Sequence, residues 1–265
     1  MKIPESSARA DTDLNTLLDF LSEYCRRLLA SGVHTSRVIR NSVRIAASQD
    51  TELNVLVTLR CLILTLRAEG HCDVATRVVT VTPMPISFEL NSELSALSWQ
   101  AIDDRLSFDE IRSRYLDIIS RPRLPHRLVT TLLSLANGAF CYLFHGDILA
   151  IVIVILATAV GFSTKSWLAA HKVNVFFVVA ISAFVASLTA SLSILADCTW
   201  QTALATSPLF LVPGVPLITC VIDAVEGHVL TAVSRLVNAI LIVLCIAVGL
   251  AVTLLMVTDG LPVES

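Results

Sequence analysis

The chain has 265 residues, of which 55% are hydrophobic and only 15% charged, with a mean hydropathy of +0.75. A soluble domain of this length is rarely so apolar, and the composition marks a membrane protein. The net charge of −3, with no basic stripe interleaved with aromatics, excludes nucleic acid as a partner.

Charge divides the chain. Residues 1–127 hold 16 Lys and Arg and 16 Asp and Glu, whereas residues 128–265 hold 3 and 6. The boundary falls in the Arg121-Pro122-Arg123-Leu124-Pro125-His126-Arg127 cluster. Met1 to Asp13 is polar and the first long apolar run begins near residue 128, which is not a signal peptide pattern, so residues 1–127 are expected in the cytosol. Seven scattered cysteines with no CxxC pair argue against a disulfide framework or a zinc site and read as small buried hydrophobes.

In the first half, Leu14, Leu17, Leu18, Leu21, Tyr24, Cys25 and Leu28 fall on one helical face, with Asp13 as the expected cap. Gly32 suits the left-handed position that ends such a helix, and Thr35 is expected to cap a second one carrying Val38, Val43 and Ala46. Leu53–Val57, Cys61–Leu66 and Arg77–Val81 are β-rich, with a turn at Glu69-Gly70-His71, and predict a three-stranded meander. A helical face returns over 87–102 at Leu90, Leu94, Leu97 and Ala101. Ser107-Phe108-Asp109-Glu110 is a capping box for a last helix ending near Ser120. This is a small α+β domain. His34, His71 and His126 are far apart, there is no phosphate loop, no G-x-S-x-G and no carboxylate pair at a recognisable spacing, so neither catalysis nor a metal or cofactor site is expected. The acids at 103–104 and 109–110 read as a solvated face and helix N-terminus charge.

About 20 apolar residues cross a bilayer, and residues 128–265 offer five such stretches: Leu128–Phe144, Ile148–Thr164, Val173–Ala196, Trp200–Ile222 and Leu236–Thr258. The predicted fold is an α-helical polytopic membrane protein with five transmembrane helices, preceded by the cytosolic α+β domain. With the N-terminus inside, Arg121, Arg123, Arg127, Lys165, Lys172 and Arg235 all lie on the cytosolic side. His145-Gly146-Asp147, Asp197, Asp259 and Glu264 then fall outside, as the positive-inside rule expects. The third span carries small residues from Ser182 to Ser193 that let helices approach closely. Asn137 in the first span and Asn238 in the last are amides needing partners at depth, either as packing contacts or as substrate contacts.

The fourth span is a broken helix: Ser207–Ile218 holds Pro208, Pro213, Gly214 and Pro216. Proline removes a backbone donor, and the freed carbonyls must find partners in hydrocarbon. A packing kink is one reading; a transporter site built on unwound backbone is the other. Asp223, Glu226, His228 and Arg235 follow. Glu226 and His228 read as wetted by the cytosolic interface, whereas Asp223 and Arg235 lie close enough to the bundle to be functional candidates.

Across nearly its whole length the chain resembles the threonine/serine exporter family, in particular the large subunit of its split, two-protein form. The residues that carry the resemblance are Ser31–Val38, Leu106–Glu110, Gly146-Asp147, and Leu211–Ile218 followed by Asp223, Gly227 and Arg235. It implies a secondary exporter of small carboxylate-bearing metabolites, a dicarboxylate such as succinate or threonine and serine, driven by an ion gradient across the bacterial inner membrane. Pro208, Pro213, Gly214, Pro216, Thr219, Asp223, Arg235, Asn238 and Asn137 are the candidate substrate-binding or gating residues. The chain departs from the family pattern at His34, where an acidic residue is usual, and at Thr219, where Asn is usual. Single-chain members carry further spans after this point, so a second, smaller membrane subunit is expected as partner. The competing reading is a membrane-anchored sensor or scaffold, which would need no broken helix.

Overall fold

The structure, a computed structural model, describes residues 5–58, 60–68, 73–122, 124–196 and 198–258, with side chains between Leu14 and Val257. Two compact units form. One comprises Met1–Pro122 with Val215–Leu236, the other Arg123–Gly214 with Val237–Ser265.

In the first unit, α1 (Glu5–Ala30) packs against α2 (Thr35–Ala47) and covers a sheet of β1 (Thr51–Val57), β2 (Cys61–Ala68) and β3 (Val74–Thr80). The predicted face of α1, from Leu14 to Leu28, is buried throughout. The helix starts at Glu5, so Asp13 lies inside it and is not its cap. The sheet is an antiparallel meander in the order β1-β2-β3, with Leu53 opposite Leu66 and Ile63 opposite Val78. Its period of two sends Leu53, Val57, Leu62, Leu64 and Leu66 into the core. The predicted turn at 69–71 lies outside the described residues. Next come α3 (Phe88–Asp103), which buries Leu94, Leu97 and Ala101, and α4 (Phe108–Ser120). Ser107 and Glu110 close the capping box that opens α4, with the Ser107 amide donating to Glu110 Oε2 at 2.8 Å. In α2, Val38 and Ala46 are buried, but Val43 points outward.

The second unit is helical: α5 (His126–Leu143), α6 (Ile148–Ala170), α7 (Val175–Ala190), the short α8 (Leu192–Leu195), α9 (Trp200–Thr206) and a 3-10 turn over Leu209–Leu211. Glycines set its close approaches. A Cβ on Gly161 would stand 2.8 Å from Ala186 Cβ, and one on Gly249 2.5 Å from the Ala180 carbonyl oxygen. The small residues predicted in the third span do face inward at Ser182, Ala183, Ala186, Ser187, Ala190 and Ser193, while Thr189 and Ser191 are not fully buried. Ser187 Oγ meets Thr253 Oγ1 at 2.6 Å. Asp147 caps α6, accepting from the Ala150 amide at 3.1 Å and the Thr199 hydroxyl at 2.9 Å.

The chain continues through α10 (Gly214–Val225) to the long α11 (Val229–Thr258). Among the described residues three helical segments are long and apolar enough to cross a membrane: Ile148–Ala170, Val175–Leu195 and Val229–Val257. The broken pair Trp200–Leu211 and Gly214–Val225 makes a fourth if counted as one span. This is a multi-pass membrane protein. The predicted count of five spans goes further than these segments, because α5 carries His126, Arg127 and Asn137 within 18 residues and is not among them.

Candidate functional site

Three prolines free carbonyls around the break, and each freed oxygen is met locally. Pro208 cannot donate to Leu204 O, which accepts from Ser207 Oγ at 3.0 Å. Pro213 cannot donate to Leu209 O, which accepts from the Val212 amide at 3.1 Å. Pro216 cannot donate to Val212 O, which accepts from the Gly214 amide at 2.9 Å. The last carbonyls of α9 are met by Asn137, whose Nδ2 lies 3.2 Å from Thr206 O and 3.3 Å from Ser207 O and donates to Thr158 Oγ1 at 2.7 Å. The buried amide of Asn137 therefore caps the broken helix inside its own unit. Asn238 is half-buried, and its amide makes no hydrogen bond among the described residues.

The ionisable residues after the break come together in the first unit. Gly227, at φ +87°, ends α10, and the His228 amide returns to Asp223 O at 2.8 Å, a left-handed turn that folds the start of α11 back along α10. This brings Arg235 Nε to 3.0 Å from Asp223 Oδ2, a charge contact whose angle falls short of a hydrogen bond. The remaining guanidinium nitrogens are well placed. Nη1 donates to Thr219 Oγ1 and Nη2 to Val33 O, both at 3.0 Å. Thr219 in turn donates to Val215 O at 2.9 Å. Asp223 is fully buried and Arg235 nearly so, at 7% exposure.

Asp223 also fills a vacancy in α2. His34 stands at the N-cap but provides no capping side chain, and Thr35 is the first helical residue, not the cap the sequence suggested. Asp223 acts as the cap from another helix. Its Oδ1 accepts from the Thr35 amide at 2.7 Å and its Oδ2 from the Thr35 hydroxyl at 3.1 Å, placing an anion on the positive end of α2. The turn that presents Val33 and Thr35 is itself fixed. Ser31 Oγ donates to Asn91 Oδ1, and Gly32 adopts φ +90° with Ile86 Cγ1 only 3.2 Å from where a Cβ would be.

At the mouth of this cluster Glu226 faces Arg40 at 3.4 Å and His34 at 3.9 Å. The Ser36 hydroxyl, His34 and Arg40 hold the Glu226 carboxyl below its usual range. Burial pushes the His34 imidazole down, against the pull of Glu226. Glu226 is exposed, in keeping with a wetted residue, and also engages the N-terminal hairpin.

Of the nine candidates, Thr219, Asp223 and Arg235 form one cluster with Pro216 a turn away on α10, and Asn137 joins Pro208 at the break through the Ser207 carbonyl. Pro213 lies between the two segments of the broken helix, Gly214 opens the second of them, and Asn238 stands apart. The sequence reading missed Thr35, the Val33 carbonyl, His34 and Arg40 as partners. The available signal was the uncapped start of α2, which needs an acceptor from elsewhere.

The ThrE family model, described as a threonine/serine exporter, matches residues 19–257. A relative named probable succinate transporter subunit YjjP from Klebsiella aerogenes is 27% identical over 86% of this chain and 89% of its own length. The protein of that name from Escherichia coli is 26% identical over the same shares. A protein named probable threonine/serine exporter from Mycobacterium tuberculosis is 26% identical over 95% of this chain but only 49% of its own length. All three are named as transporters or exporters, none as an enzyme. No solved structure matches the chain significantly.

Proposed function

The chain belongs to the threonine/serine exporter family, and on that footing we propose that it is one subunit of a secondary exporter of small carboxylate-bearing metabolites, a dicarboxylate such as succinate or threonine and serine. An ion gradient drives it. It spans the bacterial inner membrane five times, with α5 as the first span, the N-terminus in the cytosol and the C-terminus outside. A second, smaller membrane subunit completes it. The relatives named as transporter subunits support a two-part assembly.

The observation that carries the reading is the buried Asp223–Arg235 pair beside the broken helix. A buried arginine with a planar fork suits a carboxylate, which it can bind bidentately. Here Asp223, Thr219 and the Val33 carbonyl occupy that fork. A substrate carboxylate would take the place of Asp223 on Arg235, and Asp223 would stay on the α2 N-terminus through Thr35. In this scheme Asp223 is the coupling or gating carboxylate. Pro208, Pro213, Gly214 and Pro216 give the helix its hinge, Thr219 orients the Arg235 guanidinium, Asn137 holds the carbonyls of the break inside its own unit, and Asn238 is a further polar candidate. The experiment is efflux of labelled succinate, threonine and serine from proteoliposomes holding this chain with and without its small partner subunit. Efflux of a carboxylate only when both are present supports the reading; equal, solute-independent leakage in the two preparations overturns it.

A further inference from the structure

Lys165 is absent from the cluster just described, and its position on α6 is not that of a lipid-facing anchor. The buried stripe of this helix runs through Ala150, Val154, Ala157, Thr158 and Gly161. At 100° per residue, Lys165 falls within about 20° of both Val154 and Thr158, inside that stripe and one turn beyond Gly161. It is half-buried. The only acidic side chain described in its unit is Asp147, at the far end of the same helix, 18 residues or about 27 Å away and already engaged by Thr199 and Ala150. Lys165 makes no ion pair or hydrogen bond among the described residues.

A second observation lies on the neighbouring helix. The α6–α7 hairpin is antiparallel, with Gly161 against Ala186. One turn further along α6 and one turn back along α7 bring Lys165 level with Ser182. That serine is fully buried and its hydroxyl has no hydrogen-bond partner among the described residues. On the other neighbour, the α5–α6 contacts Asn137–Thr158 and His126–Phe162 set Ser134 near the level of Gly161, about one turn from Lys165; it is also buried and without a partner among the described residues. An inward cation with no counter-ion and two unsatisfied hydroxyls are uncommon in a well-packed bundle. Each is a donor with nothing to donate to among the described residues.

We infer that Lys165 and Ser182 form a carboxylate-binding site on the solute's path inside the second unit, with Ser134 as a further hydroxyl donor. The inference rests on the exporter reading above. It requires an anion that is mobile, since the described residues of the unit provide no fixed one near Lys165.

The test uses the full chain with its partner subunit in proteoliposomes, with succinate and threonine as probes, comparing Lys165→Met, Lys165→Arg and Ser182→Ala. Losing a charge-assisted contact should raise the apparent KM on the order of ten-fold in Lys165→Met. Lys165→Arg should recover much of the loss, and Ser182→Ala should raise KM a few-fold. In parallel, acylation of Lys165 by an amine-reactive ester, read by mass spectrometry, should be slowed by succinate or threonine and not by chloride. If Lys165→Met keeps the wild-type KM and only lowers membrane abundance, Lys165 is an interfacial anchor and the inference is overturned. If the wild type moves neither probe, the exporter reading fails. Protection of Lys165 by a carboxylate then still upholds the site, and no protection overturns it.

Discussion

Substituting Asp223 strikes the point on which the first unit's charge balance depends. A unit charge pair 3.0 Å apart is worth about 5.5 kcal/mol at an effective dielectric near 20, and desolvation of both ions offsets part of that. Removing one partner leaves the other buried without a counter-charge, a loss of about 3–5 kcal/mol. Asp223→Asn keeps an oxygen for the Thr35 amide, so it isolates the loss of charge; Asp223→Ala also strips Thr35 of its acceptor and should lose about 1 kcal/mol more. Arg235→Met creates the mirror defect. The double variant Asp223→Asn with Arg235→Met leaves no buried charge, and it should recover about 2 kcal/mol or more of the summed single losses. The assay is the thermal midpoint of the detergent-solubilised full chain. At roughly 2–4 °C per kcal/mol for a chain of this length, Asp223→Asn should lose on the order of 10 °C. Single variants within about 2 °C of wild type, or a double variant equal to their sum, would refute the argument that this pair is a coupled buried unit.

Two further outcomes follow from the same contacts. Burial lowers the His34 imidazole below its ordinary 6.5, so the unfolded chain takes up the proton first; stability present above that value should fall as pH drops through it, and His34→Gln should flatten a thermal-midpoint profile measured between pH 7.5 and about 5.5. Asn137→Leu leaves the Thr206 and Ser207 carbonyls at the break without their donor, at about 1–3 kcal/mol each, and should speed proteolysis near the break, whereas Asn137→Gln should be milder.

Much of the first unit was legible because its signals are local. The α1 face from Leu14 to Leu28, the Ser107–Glu110 capping box and the alternation in the meander each depend on residues a few positions apart. Spans α6, α7 and α11 were legible from apolar length alone. The site was legible only by half. Ionisable groups beside a broken helix flagged Asp223 and Arg235, and Ser31–Val38 was among the separate stretches that carry the family resemblance, with nothing to say that the two meet. That Asp223 caps α2 across 188 residues of chain could not be read from spacing, since capping is a local rule that here is satisfied at long range. The same holds for Arg235 on the Val33 carbonyl and Glu226 on Arg40. For Asn137 the two readings of packing and solute contact were both open, and the carbonyl partners give it a capping role at the break. Lys165 was read by its sign, as a topology charge, and not by its angle on the helix, which is what sets it on the inward stripe.

Whether Arg235 is the carboxylate-binding group of an exporter is decided by measuring substrate affinity and efflux for Arg235→Lys at expression matched to wild type. Lysine keeps the charge but not the planar fork that reaches Asp223, Thr219 and Val33 at once. Arg235→Lys should lose affinity for succinate or threonine nearly as far as Arg235→Ala does. Wild-type affinity and efflux in Arg235→Lys would contradict it and make Arg235 an anchor for the last span.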